Sequence, residues 1–295
     1  MSDNEPLVSV LMTAFNREKY IAEAIESVLS SWYKNFELII VDDCSKDMTV
    51  DIAKNYSTMD ERIKVYVNEK NLGDYPNRNR AASYAKGKYL KYVDADDLIY
   101  PHGLQVMVNS MEKFPEAALG LSKQVNNLEI YPVVIGSEEA YHLHFLNERG
   151  FFSNGPASCI IKHDCFKEVG GFPEIRHVGD TSMWLKLSAR YPIVKLLPGL
   201  THWRRHDEQE NVFSRTSIKR KVLNFNAEMN ALLDTNCSLN SSDKALAIKL
   251  LKKKYGRIVI RLFAKGNFED ASVLAKSIDL SSLEYINSFR LPRKL

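Results

Sequence analysis

Gly87-Lys88-Tyr89-Leu90-Lys91-Tyr92-Val93-Asp94-Ala95-Asp96-Asp97 is a short apolar-alternating run that stops on three carboxylates with a single alanine among them. Tyr89, Leu90, Tyr92 and Val93 suit a buried strand. Carboxylates packed this closely repel one another and stay anionic only with a cation among them. A hard divalent ion, Mn²⁺ or Mg²⁺, answers that need. It takes oxygen ligands, keeps several waters, and is held by one or two carboxylates while substrate phosphates supply the rest. A solvated acidic turn capping a following helix fits the same residues, so the cluster alone does not choose.

The residues upstream supply a context. Residues 7–12 read as a buried strand, and Ile21, Ala24, Ile25 and Val28 then recur at helical spacing. Residues 36–41 are a second buried strand ending at Asp42-Asp43-Cys44-Ser45, followed by a helix over 47–55. A third strand over 63–67, a turn at Asn71-Leu72-Gly73 and a helix over 77–86 lead into the opening stretch. Such alternation predicts an α/β fold with a mostly parallel sheet and helices on both faces. Ligands collect at the carboxyl ends of the strands of such a sheet. Thr13 and Asn16 follow the first strand there, Asp42 and Asp43 the second, and Asp94 to Asp97 the fourth. Neither G-x-G-x-x-G nor G-x-x-x-x-G-K-[ST] occurs, which disfavours a dinucleotide oxidoreductase or a P-loop NTPase.

Ser9-Val-Leu-Met-Thr-Ala-Phe-Asn-Arg17, Ile39-Ile-Val-Asp-Asp-Cys-Ser45, Asn71-Leu-Gly73, Asn77-Arg-Asn79 and Asp94-Ala-Asp-Asp97 together resemble the successive motifs of family 2 glycosyltransferases. The resemblance covers roughly the first hundred residues. It implies a GT-A fold, inverting transfer from a nucleotide-diphosphate sugar, and a divalent metal. It assigns the donor nucleotide to Thr13, Asn16, Asp42, Asp43, Arg78 and Asp94, and the metal to Asp96 with Asp94. Thr13 stands where many members have Pro, and Asn77 replaces the usual Ala; neither departure removes a charge. One of Asp42 and Asp43 is expected to accept the imide N–H of uracil or thymine, or the matching N–H of guanine. Cytosine lacks that donor, so UDP, dTDP or GDP sugars are favoured over CMP sugars. Arg78 reads equally as a helix-surface arginine.

Beyond Pro101 the pattern predicts a helix to about Phe114, a strand over 117–121, a helix over 137–147 and a strand over 157–161. His142 and His144, two apart, fall on different helix faces and are not expected to share a metal. Gly170-Gly171-Phe172-Pro173 precedes Gly179-Asp180-Thr-Ser-Met-Trp-Leu-Lys-Leu187. There Met183, Trp184 and Leu187 give a helical apolar face, with Asp180 in the first turn. Asp180 alone could be a helix cap. The resemblance makes it the catalytic base, with Gly179 in place of the first member of the family's acidic pair. Thr201-His-Trp-Arg-Arg-His206, followed by Asn211, resembles a late basic segment of the family. Arg204 and His206 are thereby expected at the diphosphate; a basic strand edge is the structural alternative.

Of the 295 residues, 45% are hydrophobic, enough for one large core plus an appendage. We expect nucleotide-sugar-binding and catalytic-base halves of a GT-A domain over 1–100 and 101–214, then a helical extension over 215–295. The extension carries 16 Lys and Arg against 7 Asp and Glu, leaving 24 against 30 before it. A basic tail on an acidic body suggests contact with something anionic. Ile218, Val222, Phe225, Met229 and Leu232 form one helical stripe and Ile248, Leu251, Tyr255, Ile258 and Leu262 another, with Ser242 or Asp243 as cap. Such stripes suit docking faces, while Lys252, Lys253, Lys254, Arg257 and Arg261 resemble the basic face of an interfacial helix at a membrane. No interleaved aromatic platform accompanies them, so no nucleic-acid partner is expected. The acidic start and the lack of a long uncharged apolar run point to a cytoplasmic protein, peripheral at the inner membrane face if the tail binds lipid. The spacing of the four cysteines matches no zinc or redox motif.

The expected reaction is glycosyl transfer to a saccharide or lipid-linked hydroxyl in cell-surface polysaccharide or glycolipid assembly. A non-catalytic carbohydrate-binding module would need the metal or base carboxylates to be lost, and Asp96 and Asp180 are present. A sugar nucleotidyltransferase would carry a glycine-rich basic segment after the first strand, which Thr13-Ala-Phe-Asn-Arg17 is not.

Overall fold

A computed structural model of the chain describes residues 5–122, 130–147, 150–206 and 217–279. These divide into two compact units, one from the described residues of Met1–Ser137 and Ser153–His206, the other from those of Glu138–Phe152 and Asp207–Leu295. The first unit thus runs on past residue 100, and the second takes Glu138–Phe152 as well as the tail expected from residue 215.

The first unit begins with β1 (Val8–Ala14), α1 (Ile21–Leu29), β2 (Phe36–Asp42), α2 (Thr49–Met59), β3 (Ile63–Val67), α3 (Asp74–Ser83) and β4 (Tyr89–Tyr92). It continues with β5 (Leu98–Ile99), α4 (Gly103–Glu112), β6 (Leu119–Ser122) and β7 (Val133–Ile135). After α5 (Ser137–His142), which passes into the second unit, come β8 (Cys159–Lys162), α6 (His163–Glu168), α7 (Gly179–Arg190), β9 (Ile193–Leu196) and β10 (Thr201–His202).

Eight strands form one sheet in the order β3-β2-β1-β4-β8-β6-β9-β7. Its first half is parallel, β1 lying between β2 and β4. β1 and β2 are almost continuously apolar and buried, as befits strands covered on both faces. Ile21, Ala24, Ile25 and Val28 of α1 close one face over Val10, Met12, Leu38 and Ile40. The second half is mixed: β8 runs antiparallel to both β4 and β6, and β7 to β9, while β6 and β9 are parallel. Beside the sheet, β5 and β10 form a two-stranded antiparallel ribbon with Thr201 opposite Ile99 and His202 opposite Leu98. This ribbon carries the segment after β10 back to the acidic residues before β5.

In the second unit, α5 is followed by a π-helical turn, Leu143–Asn147, and the C-terminal part supplies α8 (Ile218–Leu233), α9 (Ser241–Ala264) and α10 (Phe268–Ile278). The three C-terminal helices pack on one another and α9 also meets the π-helical turn. Buried Phe225 and Leu232, Leu251, Tyr255 and Val259, and Ala271, Leu274 and Ile278 fill the bundle. The cap of α9 is Asn240, whose side chain accepts the Asp243 N–H, instead of the expected Ser242 or Asp243. His142 and His144 do diverge. His142 lies 3.1 Å from Asp243, whereas buried His144 accepts the Phe152 N–H on Nδ1 and sits 3.7 Å from Glu228. No helix of the described residues is long and apolar enough to cross a membrane.

Candidate active site

The loops after β1, β2 and β4 are tied together at the carboxyl edge of the sheet. Asn16 and Cys44 both adopt left-handed backbone, with φ of 52° and 68°, a conformation that needs support in residues other than glycine. Asn16 gives that support in part, donating its N–H to Ser45 Oγ and accepting the Lys46 N–H on Oδ1. Asp42 accepts the Ser45 N–H at 2.8 Å and also the Ser45 hydroxyl. The Asp43 carboxylate accepts three N–H groups at 2.8 Å, from the Asn68 side chain, Leu72 and Gly73. Gly73, at φ 88° and ψ 173°, occupies a backbone region open essentially to glycine alone. Asp43 therefore shapes the Asn71-Leu72-Gly73 turn and starts α3. Thr13 lies on β1, and its carbonyl receives the Ala95 N–H.

Each carboxylate of the opening stretch has a different neighbour. Asp94 faces Arg78, with Nη1 2.7 Å from Oδ1, an ion pair lying off the hydrogen-bonding direction. Arg78 is buried rather than on a helix surface, and its Nε bonds Asp74 at 2.7 Å. Asp96 Oδ2 receives the Arg17 Nε at 2.9 Å and stands 3.0 Å from His206 Nε2. Asp97 is buried and accepts the Arg204 backbone N–H at 3.0 Å. Burial, reinforced by Asp94 and Asp96, pushes the Asp97 carboxyl up to about 8. Lys91, fully buried and donating to the Ala157 carbonyl, is pushed down to about 8 by burial.

The segment after β10 splits its expected roles. His206 reaches the cluster, its ring packed 4.6 Å from that of Tyr20. The Arg204 side chain instead turns to Glu23, at 2.7 Å, and over the Tyr20 ring. Asn211 lies outside the described residues.

The residues present fit a divalent ion. Asp96 and His206 converge as an oxygen and a nitrogen donor, His206 Nδ1 is buried without a hydrogen-bond partner among the described residues, and crowded Asp97 resists ionising unaided. Substrate oxygens and water would complete the coordination shell. Three ligand groups within 4.8 Å of one another occur at Glu138, His142 and Asp243 of the second unit; the acidic cluster is not itself a closed cage.

Asp180 opens α7, as the pattern predicted. Its carboxylate accepts the Thr181 N–H at 2.8 Å, and Gly179 beside it lies against the Tyr75 ring. Burial, then the nearby Asp74 charge, hold its carboxyl above the usual carboxylate range, the direction that makes a carboxylate a better base. Arg78 pairs with Asp94 and also acts on Asp180, and Asp74 acts on Asp180, so one helix, α3, serves both groups. Arg17, Lys91 and Tyr75 went unassigned in the sequence. Arg17 closed a quoted motif, Lys91 was a polar residue in an apolar strand, and Tyr75 preceded the expected start of its helix.

An open α/β sheet with polar residues gathered at its carboxyl edge defines a class of ligand-binding folds, and comparison with known proteins narrows it. The family model "Glycosyl transferase family 2" matches residues 9–165, and the chain belongs to that family. A relative in Haemophilus influenzae described as an uncharacterized glycosyltransferase is 39% identical over 111 residues, which are 38% of this chain and 34% of the relative. Across the first curated relatives the matched stretch spans between 34% and 66% of their length. The fold is similar to that of S. aureus TarS 1-349 in complex with UDP-GlcNAc, with TM-score 0.66 and 21% identity over 95% of this chain and 79% of that one. It is also similar to that of the mannosyltransferase PcManGT from Pyrobaculum calidifontis in complex with GDP-Man and Mn²⁺, with TM-score 0.58 and 16% identity over 97% and 84%. These likenesses show the GT-A fold.

Proposed function

We propose that the protein is an inverting, metal-dependent glycosyltransferase that moves a sugar from a nucleotide-diphosphate donor, a UDP sugar first, to a saccharide or lipid-linked hydroxyl. The observation that carries this reading is the convergence of two acidic centres on α3: Asp94 paired with Arg78, and Asp180 at the start of α7, where Gly179 lies against the Tyr75 ring. TarS and PcManGT were each solved with a nucleotide sugar, the latter with Mn²⁺, which supports donor and metal alike.

The acceptor hydroxyl loses its proton to Asp180 as its oxygen bonds the anomeric carbon, and the bond from that carbon to the diphosphate oxygen breaks on the opposite face. A divalent ion held by Asp96 and His206, with Asp94 nearby, would supply Lewis-acid neutralisation of the leaving diphosphate. Thr13, Asn16, Asp42 and Asp43 frame the base and ribose, an oxygen of the Asp42 and Asp43 pair accepting the imide N–H. Arg17 and Arg204, paired with Asp96 and Glu23, would be available to the donor phosphates on release from those partners.

A thermal-shift panel with Mn²⁺ tests the donor: a nucleotide at 100 times its dissociation constant adds about 2.7 kcal/mol of stability. UDP or UDP sugars are expected to raise the melting temperature and CMP to leave it unchanged; the reverse order excludes this reading of the base pocket. Release of a nucleoside diphosphate rather than pyrophosphate distinguishes transfer from nucleotidyl transfer.

The helices of the second unit bring a second anionic contact into the proposal. Lys254 is engaged with Glu228; of the basic residues of α9, Lys253, Arg257 and Arg261 are the ones proposed to meet a membrane surface bearing a lipid-linked acceptor. Flotation with phosphatidylserine vesicles should carry the wild-type chain and not a Lys253, Arg257 and Arg261 triple glutamine variant; equal flotation of both removes this contact.

A further inference from the structure

Tyr75 lies in the first turn of α3, is only 5% exposed, and no step above uses it. A Cβ placed on Gly179 would meet Tyr75 Cδ1, Cδ2 and Cε1, each at 2.7 Å. Three ring atoms at one distance mean that the phenol lays its face on the bare backbone of Gly179. No real Cβ tolerates that approach, so the absent side chain at 179 is what admits the ring. The ring also packs against Phe172, with centroids 5.4 Å apart. Held this way, the phenol stands beside Asp180, on whose carboxyl it acts.

We propose that Tyr75 is the positioning residue of Asp180: with its ring seated on Gly179, the hydroxyl is aimed at the adjacent Asp180 and fixes the carboxylate's orientation toward the acceptor hydroxyl. The role rests on reading Asp180 as the base. The Thr181 N–H takes Oδ1 from α7 itself, Tyr75 approaches from α3, and a remaining lone pair is left for the incoming proton. The other groups that act on Asp180 are Asp74 and Arg78 of α3 and Cys159 of β8, the last buried and uncharged. Tyr75 is the neutral donor in that set, so its removal changes the orientation and basicity of Asp180 without changing the local charge.

Tyr75→Phe keeps the ring on Gly179 and deletes the hydroxyl. A hydrogen bond to a carboxylate is worth about one pKa unit or more. The acid limb of the kcat profile is therefore expected to move up by about one pH unit, kcat at neutral pH to fall about tenfold, and donor KM to stay within about twofold. An unmoved acid limb overturns the proposal. The packing half is read separately by melting temperature. Gly179→Ala should lower it in the wild-type background and leave it unchanged in Tyr75→Ala, because alanine is otherwise well suited to a helix. Equal losses in both backgrounds overturn the seating of the ring. If Asp180→Asn retains turnover, the base reading fails, but the coupling of residues 75 and 179 is measured on stability alone and stands or falls by itself.

Discussion

Asp180→Asn lowers kcat by about 10²- to 10⁴-fold, the range that general-base catalysis supplies, while donor affinity in the presence of Mn²⁺ stays within about threefold. Asn keeps the shape and its amide oxygen can still accept the Thr181 N–H, so α7 is undisturbed, but it has no basic oxygen to take the acceptor proton. The wild-type pH dependence carries the same information. Burial and Asp74 raise the Asp180 pKa; the active form is the anion, so the rate falls as pH drops through that raised value, tenfold per unit below it. The acid limb therefore lies above the ordinary carboxylate range and is absent from whatever residual rate the Asn variant shows. Steady-state kinetics with a UDP sugar across pH, together with calorimetric donor binding, make the check. Near-normal turnover in Asp180→Asn would remove the residue from the chemistry.

How far the sequence carries depends on the length of each pattern. The first four strands and three helices were legible because apolar residues repeat over whole elements: Val8–Ala14 and Phe36–Asp42 are buried nearly end to end, and helical spacing marks α1. The boundaries of α3 were not, because its first turn is nucleated from outside, by Asp43 accepting the Gly73 N–H, and Tyr75 was lost with them. The β5 and β10 ribbon is two residues deep, too short for any periodicity, although it is what returns His206 to Asp96. The reversal of β8 leaves no trace in its own apolar letters, since a run as short as Cys159–Lys162 carries no mark of strand direction. The candidate carboxylates were legible because chemistry concentrates them at strand ends. Their partners were less so: Arg204 and Arg78 are both basic residues near a motif, yet one turns to Glu23 and the other is buried between Asp74 and Asp94. That choice is made by packing.

Asp96→Asn is expected to abolish the Mn²⁺ dependence of donor binding and to lower kcat/KM by about 10³-fold or more, because it removes the carboxylate on which His206 and Arg17 both converge. The loss is larger than that of an ordinary surface charge. Asp96 is only 14% exposed and its two partners are 21% and 7% exposed, so neutralising it leaves cationic Arg17 without its partner in a site where burial makes such an imbalance costly. The same geometry predicts an opposite effect from its neighbour. The Arg17 guanidinium competes with a cation for Asp96 Oδ2, so Arg17→Ala should tighten Mn²⁺ binding to the nucleotide-free protein while weakening donor binding, since one fewer cation then meets the diphosphate. Manganese titration followed by electron paramagnetic resonance, on both variants and with and without UDP, separates the two effects. Were Asp96→Asn to bind Mn²⁺ and turn over normally, or Arg17→Ala to lose metal in the same measure as Asp96→Asn, the acidic cluster would be a structural ion-pair network and the proton transfer at Asp180 would need another source of charge neutralisation at the leaving group.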